Sequence, residues 1–394
     1  MKPHALPQHL MAGPWFGRTR SVRLLRFVND RFLWLPLGAL IALIWANTQG
    51  ETYFAFAHAL AFPVNEIGMA LFLGLITQEA VEATMPGGAL HTWRRWSLPV
   101  IAAAGGLAGA AFFYLGFVSW RHEAVLVQAW PVACAIDVAA GYYVLKTIVG
   151  RGGALSFLVV TGIVTNAAGL LILALWPAFT MGHLGGAVLL VVAVSLAAMM
   201  RRSKVRAFWP YLAVCGTLSW VAFYWAGVHP ALALVPIVPF LPHQPRGLEL
   251  FADRGADDTV RHAEHTWTAV VQVILFLFGL ANAGVLLRGY DTGTWAILAA
   301  ALVGRPVGVL AAVALALAGG LHLPRHVGWR ELTIIALATS TGFTFALFAA
   351  TSFLPTGAVL AQVKVGALAT VGGAAATFGL ARMMRVGKFA HVRR

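Results

Sequence analysis

Runs of about 20 apolar residues recur along this chain, each long enough to cross the hydrocarbon of a bilayer. That feature constrains the fold more than any motif does. It predicts an all-α polytopic membrane protein. The balance of residues agrees: the 394-residue chain is 60% hydrophobic and 11% charged, too little polar surface for a soluble protein of this length. The basic, proline-bearing residues 1–32 precede the first apolar run, and no cleavable secretory signal is expected there.

Twelve apolar regions can be read, at about 33–47, 64–82, 98–118, 125–149, 155–176, 184–200, 208–226, a short proline-bearing one from 229, 268–287, 295–317, 332–354 and 359–380. Between the first two lies a polar, lysine-free loop with Glu51 and His58. The 28 Lys and Arg residues test this layout. Only Arg121 and Arg288 fall in the loops of one side, and Arg305 and Lys364 fall deep within spans, Lys146 standing at the cytoplasmic end of the fourth region. The remainder lie on the other side, which the positive-inside rule makes cytoplasmic. Both termini are therefore expected in the cytoplasm. The net charge of +14 is explained without a nucleic-acid partner. The expected organisation is a basic leader at 1–32, one membrane domain at 33–385 and a basic tail at 386–394.

Polar groups inside such spans are costly and point to function. The stretch 130–143, WPVACAIDVAAGYY, places Asp137 deep in the fourth region, beside Pro131 and a run of small residues. The eleventh region is interrupted by Thr339, Ser340, Thr341, Gly342 and Thr344. These two regions run in opposite directions across the membrane, in opposite halves of the chain. Interrupted helices in corresponding positions mark the midplane site of inverted-repeat transporters, and their freed backbone groups are tolerated only where protein or water meets them. Cys134 and Cys215 lie in apolar runs and read as small buried residues. There is no phosphate loop, metal-binding histidine pair or serine elbow. Neither ATP drive nor an enzyme activity is expected, and no cofactor or resident metal.

Several stretches stand in order: FVNDRFLWLPLGALIALIWANT, EIGMALFLGLITQEAVEA, PVIAAAGG, ACAIDVAAG, GVHPALA, LFGLANAGV, VGRPVGV and STGFTFALF. Together they resemble the NhaA-type sodium/proton antiporter family, from about residue 20 to 385. The resemblance implies two crossing broken helices in a core, at about 98–176 and 295–380, beside interface spans at about 33–82 and 208–287. It implies an ion site built from an acidic pair in the fifth span, a carboxylate in the fourth and a cation in the tenth. The last two match Asp137, with Ile136 beside it, and Arg305, where many relatives carry lysine. The acidic pair falls on Asn166-Ala167, after Thr165, so both of its carboxylates are missing. Asn166 can offer a carbonyl oxygen to a cation but cannot carry a proton. Asp137 is left as the core carboxylate, and proton and cation would compete for it.

The resemblance also implies secondary roles. Glu79 would line an entrance funnel, and Glu82 stands where the family has a basic residue. His262, Glu264 and His265 lie near a family pH-sensing group ahead of the ninth span, where the residues alone suggest a solvated loop. His229 matches a histidine at a helix start. Asn282 and Lys364 match family positions, Lys364 as a candidate counter-charge or an interfacial cation. Family members dimerise through a β-hairpin after the first span, here 48–62, so a homodimer is a candidate assembly. The leading expectation is exchange of a monovalent cation, Na+ first with Li+ beside it, for H+ by alternating access around Asp137 in a bacterial-type inner membrane, with the lipid bilayer as surroundings. Two alternatives follow from the missing acidic pair. One is an ion or pH sensor, or scaffold, that keeps the fold without transport. The other is a transporter of a different ion, anion-coupled through Arg305.

Overall fold

The structure, a computed structural model, describes residues 34–85, 93–150, 152–175, 184–205, 207–242, 259–287, 290–324 and 327–390. The expected leader at 1–32, most of the loop at 242–266 and the end of the basic tail lie outside the described residues, as do the side chains of Arg94, Arg95, His262, Glu264 and His265.

Among the described residues the secondary structure is helical throughout. α1 (Trp34–Thr48) is followed by α2 (Gly50–Phe62), a π-turn at Pro63–Gly68 and α3 (Met69–Thr84). Next come α4 (Trp93–Trp120), the short α5 (Trp130–Ala133), α6 (Val138–Val149), α7 (Gly153–Leu175) and α8 (Leu184–Arg202). The remaining helices are α9 (Thr217–Ala226), α10 (Thr259–Asn282), α11 (Thr292–Ala299), α12 (Arg305–Ala318), α13 (Trp329–Ala338), α14 (Phe343–Phe353), α15 (Ala358–Ala369) and α16 (Gly372–Met383). Among the described residues six helical runs are long and apolar enough to cross a membrane, and two bent pairs bring the total to eight. Trp34–Thr48, Tyr211–Ala226 and Val270–Asn282 are shorter apolar helices. The eighth apolar region is a compact turn segment with 3₁₀ turns at Pro230–Leu232 and Val238–Phe240, since prolines there remove the donors a helix needs.

Two expectations about loops are corrected. Most of residues 48–62, read as a polar loop and aligned with a hairpin, form α2. The segment GETYFAFAHALAF has no turn residue after Gly50 and is rich in alanine, a strong helix former. Tyr53 anchors it, buried and receiving the N–H of Gly284 on its hydroxyl at 2.9 Å. Likewise α10 begins at Thr259, well before the expected start at 268, so His262, Glu264 and His265 lie on helix and not in a loop. No Gly or Pro stands between 259 and 278 to stop it.

Close packing of small residues sets the centre. α4 lies along α12 with Gly105 and Gly109 facing Gly304 and Gly308. A β-carbon on Gly308 would fall 2.1 Å from the Gly105 carbonyl oxygen, and one on Gly109 2.3 Å from that of Gly304. This is small-residue packing between membrane helices, where backbones meet because side chains are absent. A wide π-turn at Ala300–Gly304 precedes Arg305-Pro306, where the proline has no N–H to continue the ladder. It is here that Arg305 enters the core.

Candidate functional site

The fourth and eleventh regions are both broken. The helical run Ala124–Ala133, which ends in α5, meets α6 at a bend of 53°, and α13 meets α14 at 44°. Their non-helical links cross: the Asp137 N–H donates to the Thr341 carbonyl at 2.7 Å. Gly342 is required at this crossing, because a β-carbon there would stand 2.5 Å from the Ala135 carbonyl oxygen. Four helix ends therefore converge inside the protein, two of them C-terminal (α5, α13) and two N-terminal (α6, α14).

Each pair of ends meets the charge that suits it. Arg305 is buried, 2% exposed, and donates through Nη2 to the Ala133 carbonyl at 2.7 Å and through Nη1 to the Thr339 carbonyl at 2.8 Å. A guanidinium thus sits on the negative ends of both short helices. Asp137 caps α6, its Oδ1 accepting the Ala140 N–H at 3.1 Å. Its Oδ2 accepts the Thr344 hydroxyl at 2.5 Å, from the first turn of α14. The carboxylate thus sits on the two positive ends. Arg305 donates to these carbonyls and not to Asp137, which fits a cation serving the broken helices.

A cavity of about 520 Å³ opens against this crossing. Asp137, Ile136, Asn166, Thr341, Thr344 and Glu79 line it, with Phe72, Phe345 and Phe378 among its apolar walls. Arg305 does not line it. Asn166 Oδ1 and Thr341 Oγ1 are buried with no hydrogen-bond partner among the described residues. A buried polar oxygen left unpaired is costly and calls for an occupant or a role. Together with the carboxylate they form a set of hard oxygen donors suited to a cation that favours oxygen ligands.

The other sequence candidates are dispersed. The Thr165 hydroxyl is spent on the Thr161 carbonyl at 2.8 Å, and Thr339 bonds the Ala336 carbonyl at 2.6 Å. Ser340 Oγ is buried without a partner but does not line the cavity. Glu82 is buried beneath Gln78, which donates to it at 2.8 Å, while Glu79 reaches the cavity. His229 accepts the Ala231 N–H at 3.3 Å and lies 3.4 Å from Glu66, away from the cavity. Lys364 lines a different cavity, with Asn282, and not the one at Asp137. Sequence reasoning missed Thr370, whose hydroxyl receives the Gly342 N–H at 3.3 Å where α15 gives way to α16. A threonine ahead of a Gly-Gly pair inside an apolar span was the available signal.

Comparison with known proteins gives a consistent picture. Residues 30–381 match the model of a family described as Na+/H+ antiporter 1. A Na(+)/H(+) antiporter NhaA from Desulfitobacterium hafniense is 36% identical over 379 residues, covering 92% of this chain and 97% of the relative. One from Geobacter metallireducens is 36% identical over 368 residues, covering 89% and 95%. Among solved structures, the sodium proton antiporter MjNhaP1 from Methanocaldococcus jannaschii at pH 8 superposes with a TM-score of 0.56 and 14% identity, covering 92% of this chain and 94% of that one. At that identity the likeness concerns the fold.

Proposed function

The chain belongs to the Na+/H+ antiporter 1 family, and from that premise we propose that it exchanges a monovalent cation, sodium first and lithium beside it, for a proton held by Asp137. The observation that carries this reading is the capped, cavity-lining carboxylate of Asp137 beside two unpartnered oxygens, Asn166 Oδ1 and Thr341 Oγ1. When the site faces one solution, the Asp137 carboxylic acid releases its proton and the cation takes its place among the oxygens. When it faces the other, a proton returns and the cation leaves. Asn166 supplies a neutral ligand. Arg305 stays on the helix carbonyls through the cycle and carries neither ion.

Arg305 also bears on the anion-coupled alternative. Its two terminal nitrogens are engaged and it does not reach the cavity, so an anion entering there would meet Asp137 and not a cation. Residues 98–176 and 295–380 would form the moving core and 33–82 with 208–287 the part it moves against. The distribution of basic loops supports a bacterial inner membrane location with both termini in the cytoplasm.

Proton movement in reconstituted vesicles tests the proposal. Na+ or Li+ added to one side should drive protons to the other in the wild type and not in Asp137→Asn. Vesicles that move no protons with Na+, Li+ or K+ would leave a sensor or scaffold as the better reading. Proton movement driven by anions and lost in Arg305→Ala would favour anion coupling.

A further inference from the structure

A second cavity, about 750 Å³, lies along the same helices as the first. α10 lines the Asp137 cavity with Val271 and Leu275 and the second cavity with Ala281 and Asn282. α14 lines the first with Phe343 and Phe345 and the second with Thr351. On each helix the nearest lining residues of the two cavities, Leu275 and Ala281 or Phe345 and Thr351, are about 9 Å apart at 1.5 Å per residue. Phe278 and Phe348 fill the interval, both fully buried, with ring centroids 6.4 Å apart. Phe345 meets Phe348 edge-on at 6.2 Å. The two cavities thus lie end to end, parted by an aromatic plug.

Among the described residues their charges are opposite. Asp137 and Glu79 line the first, with no described Lys or Arg. Among the described residues Lys364 and His58 are the basic side chains lining the second, and no Asp or Glu joins them. Lys364 is partly buried on the second turn of α15 and has no ion pair with any described residue. Asn65 and Asn282 bond each other in this cavity, at 2.7 and 3.2 Å, and supply no negative charge.

With the second cavity taken as the opposite vestibule of the exchange path, we propose that Lys364 sets how readily a cation enters through it. This rests on reading the Asp137 cavity as the ion site. A cleft lined by one sign of charge between low-dielectric walls raises or lowers the local concentration of an approaching ion. Cations are drawn in at the Asp137 face and repelled at the Lys364 face. The exchanger then loads cation at lower concentration from the first side than from the second, and Lys364 sets the KM at its own face while the ion gradients set the net direction.

The test measures the cation KM from each face in vesicles of determined orientation. Lys364→Met should lower the KM at the Lys364 face roughly tenfold, with kcat and the KM at the Asp137 face unchanged. Lys364→Arg should behave as wild type, and inert salt should shrink the difference by screening. Both KM values moving together, or neither moving, would overturn the proposal. A second measurement is independent of transport. In a chain with Cys134→Ala and Cys215→Ala, Thr356→Cys places a thiol at the exposed rim of the second cavity. Anionic methanethiosulfonate should modify it faster than the cationic reagent, and adding Lys364→Met should abolish that preference. A ratio indifferent to Lys364 would overturn the proposal. A wild type without any exchange would instead defeat the reading of Asp137, while the thiol rates would still decide the charge of the vestibule.

Discussion

The Thr344 hydroxyl donates to the Asp137 carboxylate at 2.5 Å, joining two broken helices whose residues are 207 apart in sequence. It ties the proposed proton and cation carrier to the first turn of α14. Hydrogen bonds to charged groups contribute about 1.5–3 kcal/mol. Thr344→Val should therefore raise the cation KM by about tenfold or more, with Thr344→Ser close to wild type. Vesicle assays on the two variants check this, and equal KM values in both would remove Thr344 from the account.

Arg305 donates to two carbonyls, those of Ala133 and Thr339, that no other side chain among the described residues reaches. Arg305→Ala leaves both helix ends without their cation and should destabilise the protein by about 3 kcal/mol or more. Arg305→Lys keeps the charge but loses the fork that meets two acceptors at once. Thermal unfolding in detergent should rank wild type above Arg305→Lys and Arg305→Ala last.

The crossing leaves no room at Gly342. Its missing β-carbon would stand 2.5 Å from the Ala135 oxygen, closer than atoms approach without a shift of backbone. Gly342→Ala should sharply reduce folded yield, measured by size-exclusion chromatography of the detergent-solubilised protein. The neighbouring change Thr341→Val removes an oxygen at similar volume, and should fold normally but bind cation more weakly.

Asn166 and Ala167 carry no carboxylate, and Asp137 is the one proton carrier proposed at the crossing. Exchange of one cation for one proton moves no net charge. Transport by the wild type should not respond to an imposed membrane potential. Asn166→Asp adds a second carboxylate to the cavity and should make the rate depend on potential. Potential-dependent exchange in the wild type would mean that another group carries charge.

Much of this architecture was legible from residues. Span positions followed from apolar length, and the breaks at 131–137 and 339–344 from small and polar residues inside apolar runs. Asp137 stood out as a costly charge. Hydropathy could not separate the amphipathic start of α10 from a loop, because His262, Glu264 and His265 are polar whichever they form. Nor could it tell α2 from a hairpin, since the decisive packing of Tyr53 against Gly284 joins residues far apart in sequence. The partners of Arg305 were hidden for a related reason. Ala133 and Thr339 contribute backbone oxygens, which no side-chain pattern reveals. Lys364 and Asp137 both read as in-span charges, and only the packing of α10 and α14 assigns them to separate cavities.

Proton release on cation binding tests the central claim most directly. Na+ added to the purified protein in weakly buffered detergent solution should displace about one proton per bound ion, since both compete for one carboxylate. Apparent affinity should fall as pH is lowered, because protonated Asp137 cannot hold the cation. Asp137→Asn should neither release the proton nor show that pH dependence. Cation binding without proton release, or release that survives in Asp137→Asn, would contradict the account.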